Sequence, residues 1–378
     1  MILDGGDQRG ALAAVRALAL EGWTVAVGSP KPGLSSWSRH AHRWHYVPSP
    51  ASGIDAFLDA TNTAVTSERS ELALAAGDAE TVALSLRRDE IGATVPLPPH
   101  RSLVRAIDKL ELYAAAREVG IAVPNTTQAS DDVVAAIERP VFVKPRMHWN
   151  LRDVGPSKLE ARIAADSSEA AGRVAEICAF GGDPVIQEIV CGELLAYAAV
   201  IDRHGEVVAA AQQVASRIWP PNAGVSARAA TVPADASLTA QVRRLLAELE
   251  WFGLAQLQFV RPKSGQPHLI DLNPRLYGSL ALAVSAGVNL PAICARVATG
   301  RGLSVPQCVA RANVRYQWLE GDLRRSVVER RRGLIADVLS CAAYAPGATH
   351  SIWSSADPWP AVRHASRLLG RALRKVAS

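Results

Sequence analysis

One short segment of the sequence carries an acid, an amide and a guanidinium at alternate positions. Within residues 269–279, Asp271, Asn273 and Arg275 directly follow an apolar run. Because side chains of an extended strand alternate between its two faces, these three would point the same way. Carboxylate and amide oxygens are hard ligands that suit Mg²⁺, and a guanidinium can hold a phosphate oxygen. The spacing therefore predicts a strand face that binds a metal ion together with a phosphate.

Two lysines stand at the ends of predicted elements in a chain that otherwise uses arginine. Only six of the 41 basic residues are lysines. Lys109 follows Asp108, where an amphipathic helix is expected to begin, and that helix should end within residues 120–124. Lys144 closes a short apolar stretch and precedes a proline. Each placement also has a structural alternative, which is helix N-capping for Asp108 and a solvated strand end for Lys144.

Taken together, these motifs resemble the ATP-grasp superfamily. The metal-binding strand of that family usually reads Glu-x-Asn-x-Arg, and Asp271 would replace the glutamate. An Asp-Lys helix start, a Gly-Ile-x-Val-Pro exit and a strand ending in Val-Lys-Pro also match. Residues 185–190 then resemble the hinge strand, and all four motifs follow the family order over residues 100–300. An ordered set of motifs is more specific than any single one.

The expected fold is α/β, with an α+β ATP-grasp part. Residues 1–28 have the strand–helix–strand pattern that opens a Rossmann-like sheet, although the spacing of Gly5, Gly6 and Gly10 does not match a dinucleotide fingerprint. The resemblance implies four regions, which are a Rossmann-like domain over 1–100, an ATP-grasp lid subdomain over 101–190, an ATP-grasp C-terminal subdomain with the metal site over 191–305, and a C-terminal extension over 306–378 that packs on the core.

The resemblance assigns residues to a nucleotide site. In the family both lysines reach nucleotide phosphates and the hinge backbone pairs with adenine. The family's ribose-binding glutamate has no direct match, because Leu195 stands at that position and Glu193 is the nearest carboxylate. The implied ATP-binding residues are Lys109, Lys144, Glu188, Ile189, Val190 and Glu193.

The resemblance also implies a site for Mg²⁺ or Mn²⁺. Its ligands would be Asp271, Asn273 and, from the partner strand, Gln258. Many family members carry glutamate in place of Gln258, so this site would hold one formal negative charge fewer. Weaker metal affinity is the expected consequence.

Six further residues, three of them arginines, complete the implied site. Arg275 and Arg217 would act on the transferring phosphoryl group, and Arg228 could meet a substrate carboxylate. The remaining positions follow the metal strand, where family members meet the acceptor substrate, and are Tyr277, Gly278 and Ser279. For Arg228 a solvated side chain, and for Tyr277 a place in the core, are equally weighted alternatives.

The family chemistry implied is ligation of a carboxylate to an amine or a thiol. ATP-grasp ligases activate the carboxylate as an acyl phosphate and release ADP and phosphate, which needs no protein nucleophile. The loop over residues 146–153 lacks the glycines usual in the family, so Arg146, His148 or Arg152 would supply donors instead. This departure keeps a degenerate module open, which would bind nucleotide or a partner without catalysis. A carboxylase or carbamoyl-phosphate-type half-enzyme is a third alternative.

The composition limits the class of protein and its expected location in the cell. The 378 residues are 49% hydrophobic and 20% charged, which suits a globular protein of two or three domains. No apolar run approaches about 20 residues, so no membrane span is expected. Five scattered cysteines without a Cys-x-x-Cys pair favour reduced thiols, no zinc cage and a cytoplasmic location.

The expected partners are small carboxylate and amine substrates. The net charge is +5, but acids interleave with the arginine runs after residue 320, which argues against nucleic acid. A homodimer is left open. His40, His42 and His45 match no common metal motif, so a solvated loop is expected there.

Overall fold

The computed structural model describes residues 1–147, 149, 160–221, 223–263, 265–302, 308–330 and 333–377. These residues form three sheets with helices packed on and between them. The expected α/β class is confirmed. Within these ranges, none of the helices combines the length and the apolar character that a membrane crossing requires.

The first sheet has four parallel strands in the order β3-β2-β1-β4. Its strands are β1 (Ile2–Leu3), β2 (Val25–Ser29), β3 (Ala41–Tyr46) and β4 (Leu74–Ala75). The helices of this region are α1 (Arg9–Leu20), α2 (Ile54–Glu68), α3 (Asp78–Leu86) and α4 (His100–Ile107). The strand order reverses between β1 and β4, and in open parallel sheets such a switch point forms a crevice at the carboxyl ends of the strands.

The expectation of a loop around the three clustered histidines is wrong. Residues 41–46 form β3, whose backbone pairs in parallel with β2, Val27 lying opposite Trp44. The segment is an edge strand, so most of its side chains still reach solvent. The imidazoles of His42 and His45 both approach the carboxylate of Glu68, and the described residues contain no metal-binding cluster of histidine, cysteine and acids.

The second sheet is small and antiparallel, with the order β5-β8-β6-β7. It follows α5 (Lys109–Glu118), and its elements are β5 (Thr126–Gln128), α6 (Asp131–Ala135), β6 (Val141–Pro145), β7 (Arg162–Ala164), α7 (Ser167–Ala179) and β8 (Pro184–Glu188). Val141 and Val143 alternate along β6 and are buried against α7. This alternation fixes which face of the sheet is core.

The third sheet has eight strands. Seven follow the order β13-β12-β9-β10-β11-β15-β16, and β14 pairs with β10. Its strands are β9 (Glu193–Ile201), β10 (Val207–Trp219), β11 (Val225–Val232), β12 (Gly253–Arg261), β13 (His268–Asn273), β14 (Cys308–Val309), β15 (Arg315–Gln317) and β16 (Ala348–His350). Strand β11 begins at Val225, directly after Gly224.

The remaining helices are α8 (Ala236–Glu248), α9 (Leu280–Ser285), α10 (Leu290–Ala298), α11 (Leu319–Glu329), α12 (Leu334–Tyr344) and α13 (Trp359–Ala377). Helices α5 and α8 cover one face of the large sheet, while α1, α9 and α10 fill the space toward the first sheet. Leu257 and Phe259 are fully buried on β12, and each such side chain contributes about 1.5–3 kcal/mol. The division into regions at residues 100, 190 and 305 stays a prediction.

Candidate nucleotide and metal site

Two cross-strand pairs on β12 and β13 consist of residues whose side chains carry oxygen atoms. Gln258 lies opposite Asp271, and Gln256 lies opposite Asn273. The Asn273 amide nitrogen donates to the Gln256 carbonyl oxygen at 3.2 Å. Because Gln256 and Gln258 alternate with the buried Leu257 on β12, the apolar core fixes the strand face that they occupy. Gln256 was not predicted from the sequence, although its spacing of two from Gln258 could have identified it.

Lys144 is a buried cation whose hydrogen bonds go to neutral groups. Lys144 is the penultimate residue of β6 and is 7% exposed. The ammonium Nζ donates to Gln187 Oε1 at 2.7 Å and to the Tyr113 hydroxyl at 3.4 Å. Burial, followed by the charge of Lys109, lowers the pKa of Lys144 to about 7, and the charge of Asp271 opposes both effects. The site thus holds a lysine that an arriving anion would recharge.

A polar bridge joins Lys144 to the metal strand. The Tyr113 hydroxyl donates to the carbonyl oxygen of Ile270 at 2.8 Å and accepts from Gln187 Nε2 at 2.9 Å. Ile270 immediately precedes Asp271, so the small sheet and the large sheet meet at this point. Neither Tyr113 nor Gln187 was predicted from the sequence as a site residue. Tyr113 lies four residues after Lys109 on one helix face, a spacing that brings side chains together.

Lys109 begins α5 beside a capped helix start. The Asp108 carboxylate accepts from the backbone N–H groups of Leu110 and Glu111, as the sequence predicts for an N-cap. The same carboxylate accepts from Arg146 Nε at 2.7 Å. The Lys109 backbone N–H donates to the Arg146 carbonyl at 3.1 Å, and its Nζ lies 3.5 Å from that oxygen. Asp108 therefore ties the exit of β6 to the start of α5.

This contact engages the guanidinium that the sequence analysis offers as a nucleotide donor. Arg146 is held by Asp108. His148 and Arg152, the other two offered donors, lie outside the described residues. The glycine-poor loop therefore keeps its role only as a prediction.

The hinge positions follow Lys144 across the small sheet. Glu188 ends β8, and its carboxylate accepts from the backbone N–H of Asn125 at 2.8 Å. Ile189 and Val190 continue the chain as half-buried residues between the two sheets. Glu193 begins β9 and forms an ion pair with Arg261 at 2.8 Å. Their assignment to adenine and ribose stays a prediction.

Arg275 turns away from the strand that precedes it. Strand β13 ends at Asn273, and the Arg275 guanidinium pairs with the Asp78 carboxylate at the start of α3. Burial opposes the charge of Arg275, but Asp78 outweighs it and raises the pKa. The backbone N–H of Leu276 donates to the carbonyl of Ala75 at 3.1 Å. The exit of the metal strand is therefore bound to the first sheet at its carboxyl edge.

The same edge contains a buried carboxylate between two glycines. Glu80 lies on α3 and is 5% exposed, and a Cβ atom added at Gly5 or at Gly77 would collide with its side-chain oxygens. Burial raises the pKa of Glu80 to about 7, and the carboxylates of Asp4 and Asp78 add to that rise. A glycine is therefore favoured at position 5, because any side chain there would collide with Glu80. The comparison of Gly5 with a dinucleotide motif does not reveal this reason.

Arg217 and Arg228 lie at a separate cluster. They face each other across β10 and β11, and both bind the fully buried carboxylate of Asp322 on α11, Arg217 Nη1 at 2.7 Å and Arg228 Nε at 2.6 Å. Gln317 Nε2 also donates to Asp322, at 2.8 Å. The structure therefore joins these two arginines to the C-terminal helices, apart from the lysine and metal cluster.

The three residues after the metal strand are enclosed. Tyr277 is buried in the core between the sheets, and burial, followed by Tyr316, raises its pKa. The Gly278 carbonyl accepts from the Tyr316 hydroxyl at 3.0 Å. Ser279 Oγ donates to Gln213 at 3.1 Å. Tyr277 therefore lies in the core, which is the structural alternative that the sequence left open. Binding of the acceptor substrate by these three residues stays a prediction.

Comparison with known proteins agrees with this fold. A family model described as "ATP-grasp in the biosynthetic pathway with Ter operon" matches residues 198–322. No curated protein matches the chain in sequence. The biotin carboxylase domain of 2-oxoglutarate carboxylase from Hydrogenobacter thermophilus, solved with MgADP, ADP and bicarbonate, is similar in structure with a TM-score of 0.63 at 16% identity, covering 83% of this chain and 72% of that one.

Two further solved structures have TM-scores of 0.61. N5-carboxyaminoimidazole synthetase from Staphylococcus aureus, solved with ADP, is 14% identical over 81% of this chain and 78% of its own. The L-amino acid ligase from Bacillus licheniformis is 12% identical over 80% of this chain and 75% of its own. The fold is that of these ATP-grasp proteins, and the family model covers residues 198–322 of the 378.

Proposed function

We propose that this protein is an ATP-dependent ligase that joins a carboxylate to an amine or a thiol and releases ADP and phosphate. The observation that carries the proposal is Lys144, a buried ammonium with neutral hydrogen-bond partners beside the Asp271 strand. Keeping such a cation out of water is costly unless a ligand uses it. A nucleotide phosphate meets that requirement.

The side chains fit ATP with Mg²⁺ or Mn²⁺. Lys109 and Lys144 lie close enough for one charge to lower the pKa of the other, which suits a polyanion. The facing Asp271 and Gln258 supply hard oxygen donors of the kind that a divalent cation takes. Asn273 adds an amide on the next rung. The similar Hydrogenobacter domain was solved with MgADP, which supports the same ligand here.

Within this proposal, the lysines do most of the electrostatic work. Lys144 and Lys109 would hold the phosphates and offset the charge that spreads over the phosphoryl group in transfer. The metal would supply further charge neutralisation and orient the phosphates. With Gln258 in place of a second acid, the protein contributes one carboxylate from this pair, so metal binding would depend more on the phosphates themselves.

The arginines need a change of partners to join this chemistry. Arg275 would have to leave Asp78, and Arg217 would have to leave Asp322, before either could reach a phosphoryl group. We keep Arg275 and Arg217 as catalytic candidates and Arg228 as a carboxylate candidate on this condition. The acyl-phosphate route, the small-molecule substrates and a cytoplasmic location remain parts of the proposal.

The test follows the nucleotide products. The protein is incubated with ATP, Mg²⁺ and pooled carboxylates and amines, and the nucleotides are then separated. The proposal expects ADP and phosphate, formed only with a carboxylate present. Lys144→Ala should raise the activation free energy by about 3–4 kcal/mol, which lowers turnover more than a hundredfold. Lys263→Ala is the control, because it changes an exposed lysine, and it should leave turnover unchanged. AMP as the main product would refute the mechanism, and ATP binding without turnover would favour the non-catalytic module.

A further inference from the structure

Helix α12 packs on the protein through its polar side. Its inward residues contact the Arg217–Asp322–Arg228 cluster, Ser340 Oγ lying 3.4 Å from the Arg228 guanidinium. Cys341 Sγ lies 3.8 Å from Arg217, and the Tyr344 ring lies under Arg228. On a surface helix of a globular protein the apolar stripe normally faces the core. The orientation of α12 is the reverse.

The opposite side of α12 is apolar and bare. Ile335 is 78% exposed and Leu339 is 62% exposed. At 100° per residue, the exposed positions cover an unbroken arc, and the buried ones fill the rest of the turn. We call this arc the α12 outer face, and its residues are Leu334, Ile335, Val338, Leu339, Ala342 and Ala343, with Ala336 at its edge.

The size of the α12 outer face suits a protein interface. Its exposed apolar area is on the order of 500 Å², near the largest patches that monomers leave uncovered. A stable dimer buries roughly 800 Å² per partner. The neighbouring α11 exposes Val327 and Val328 shortly before the connection to α12, which brings the available apolar area closer to that requirement.

The α12 outer face is graded in a way that matches its own copy. The large side chains lie in its first half, around Ile335 and Leu339, and the small ones lie in its second half, at Ala342 and Ala343. When such a helix packs antiparallel against an identical helix, the large half of each meets the small half of the other. Two-fold interfaces require this self-complementarity, and small residues let helices approach closely.

Charge favours the same arrangement. Arg330 is exposed and precedes Gly333, the N-cap of α12. In an antiparallel pair it would lie near the last turn of the partner helix, where the helix dipole is negative. We propose that the α12 outer face binds a second copy of this chain through a two-fold, antiparallel α12–α12 contact. Dimerisation would then cover the helix that supports Arg217 and Arg228.

Sedimentation velocity of the full chain over a range of concentrations tests the contact. We expect a dimer that Ile335→Glu weakens at least 30-fold, about the effect of losing one hot-spot residue. Leu20→Glu is the matched control, because Leu20 is 73% exposed on α1 and should leave the dimer intact. Circular dichroism and thermal melting of each variant establish that it remains folded.

A pair of reciprocal variants separates self-association from binding of another partner. Ala342→Ile should weaken the dimer, because two large side chains then oppose each other. Adding Ile335→Ala moves the large residue to the other half of the helix and should restore the dimer. A different partner would not follow this exchange, because only one side of its contact would change.

Three results would overturn the proposal. The first is a wild-type chain that stays monomeric at about 100 μM, where even weak dimers form. The second is a dimer that Ile335→Glu does not affect. The third is a monomer that binds vesicles containing anionic lipid through Ile335, which would make the α12 outer face a membrane contact.

Discussion

The molecule contains two pairs of largely buried cations that differ in the groups they contact. Arg217 and Arg228 share the two oxygens of one buried carboxylate, Asp322. Lys144 donates to a glutamine oxygen and a tyrosine hydroxyl, and the charge of Lys109 adds to the burial that lowers its pKa to about 7. The two arginines share a buried counter-charge, whereas the hydrogen bonds that Lys144 donates go to neutral groups.

This difference indicates a structural role for the two arginines with their present partner, and it supports the proposed binding role of Lys144. A buried ion pair is tolerated because its charges satisfy each other, and removing one partner leaves the other unpaired. A buried lysine with neutral partners has the opposite signature, because its ordinary protonation is suppressed until an anion arrives. All four residues were candidate site residues in the sequence, and only their partners distinguish them.

The largest expected effect comes from breaking the neutralised pair. Asp322→Asn should lower the free energy of unfolding by about 3–5 kcal/mol, because two enclosed arginines lose their shared counter-charge. Urea denaturation measures the change. Glu250→Gln, which breaks the exposed pair with Arg101, is the control and should cost no more than about 1 kcal/mol. A loss for Asp322→Asn as small as that of the control would make the cluster incidental.

Glu80 extends the comparison to a buried acid. Its pKa rises from 4.5 in the unfolded chain to about 7 in the folded protein. The folded state therefore loses stability as pH rises from 4.5 to about 7, and the loss is complete above that pH. Glu80→Gln should stabilise the protein by about 2–3 kcal/mol at pH 8 and very little at pH 4. Denaturation curves at the two pH values measure this, and equal effects at both would remove the pKa argument.

The metal strand gives the next effect. Asp271→Asn should raise the Mg²⁺ or Mn²⁺ concentration needed for ATP binding by about tenfold, whereas Gln258→Glu should lower it, because ligand charge strengthens binding of a hard cation. Metal titration in the presence of ATP measures both. Asn273→Asp is a useful third variant, since it adds charge one rung away. Unchanged metal dependence in Asp271→Asn would mean that the metal strand is wrongly assigned.

The smallest effect concerns the stability of the ligand-free protein. Lys144→Met should raise the free energy of unfolding by about 1 kcal/mol at pH 6, where the buried lysine is charged at a cost. The gain is limited because Gln187 Oε1 loses its donor. The gain should shrink as pH rises from about 7 toward the ordinary lysine pKa of 10.5, because the native lysine is then neutral while the unfolded one stays charged. A destabilised variant at pH 6 would contradict the assignment of a suppressed charge.

Local patterns predicted some contacts around the candidate site, whereas contacts between distant parts of the sequence were not predicted. The pairing of Gln258 with Asp271 and the capped start before Lys109 follow from strand alternation and helix capping, which act within a few residues. The partners of the arginines could not be foreseen, since Asp322 lies 105 residues from Arg217 and Asp78 lies 197 from Arg275. The β3 strand was missed for the same reason, because its pairing with β2 defines it more than its own sequence does.

The central claim is that Lys144 binds a nucleotide phosphate. The number of protons that the protein takes up when ATP binds tests this claim most directly. Calorimetric titration with ATP and Mg²⁺ at pH 8, in two buffers of different ionisation enthalpy, counts the protons exchanged. With a pKa of about 7, Lys144 is mostly neutral at pH 8, so a bound phosphate should make it take up close to one proton. Lys144→Met should abolish this uptake. ATP binding with no proton uptake in the wild-type protein would contradict the account.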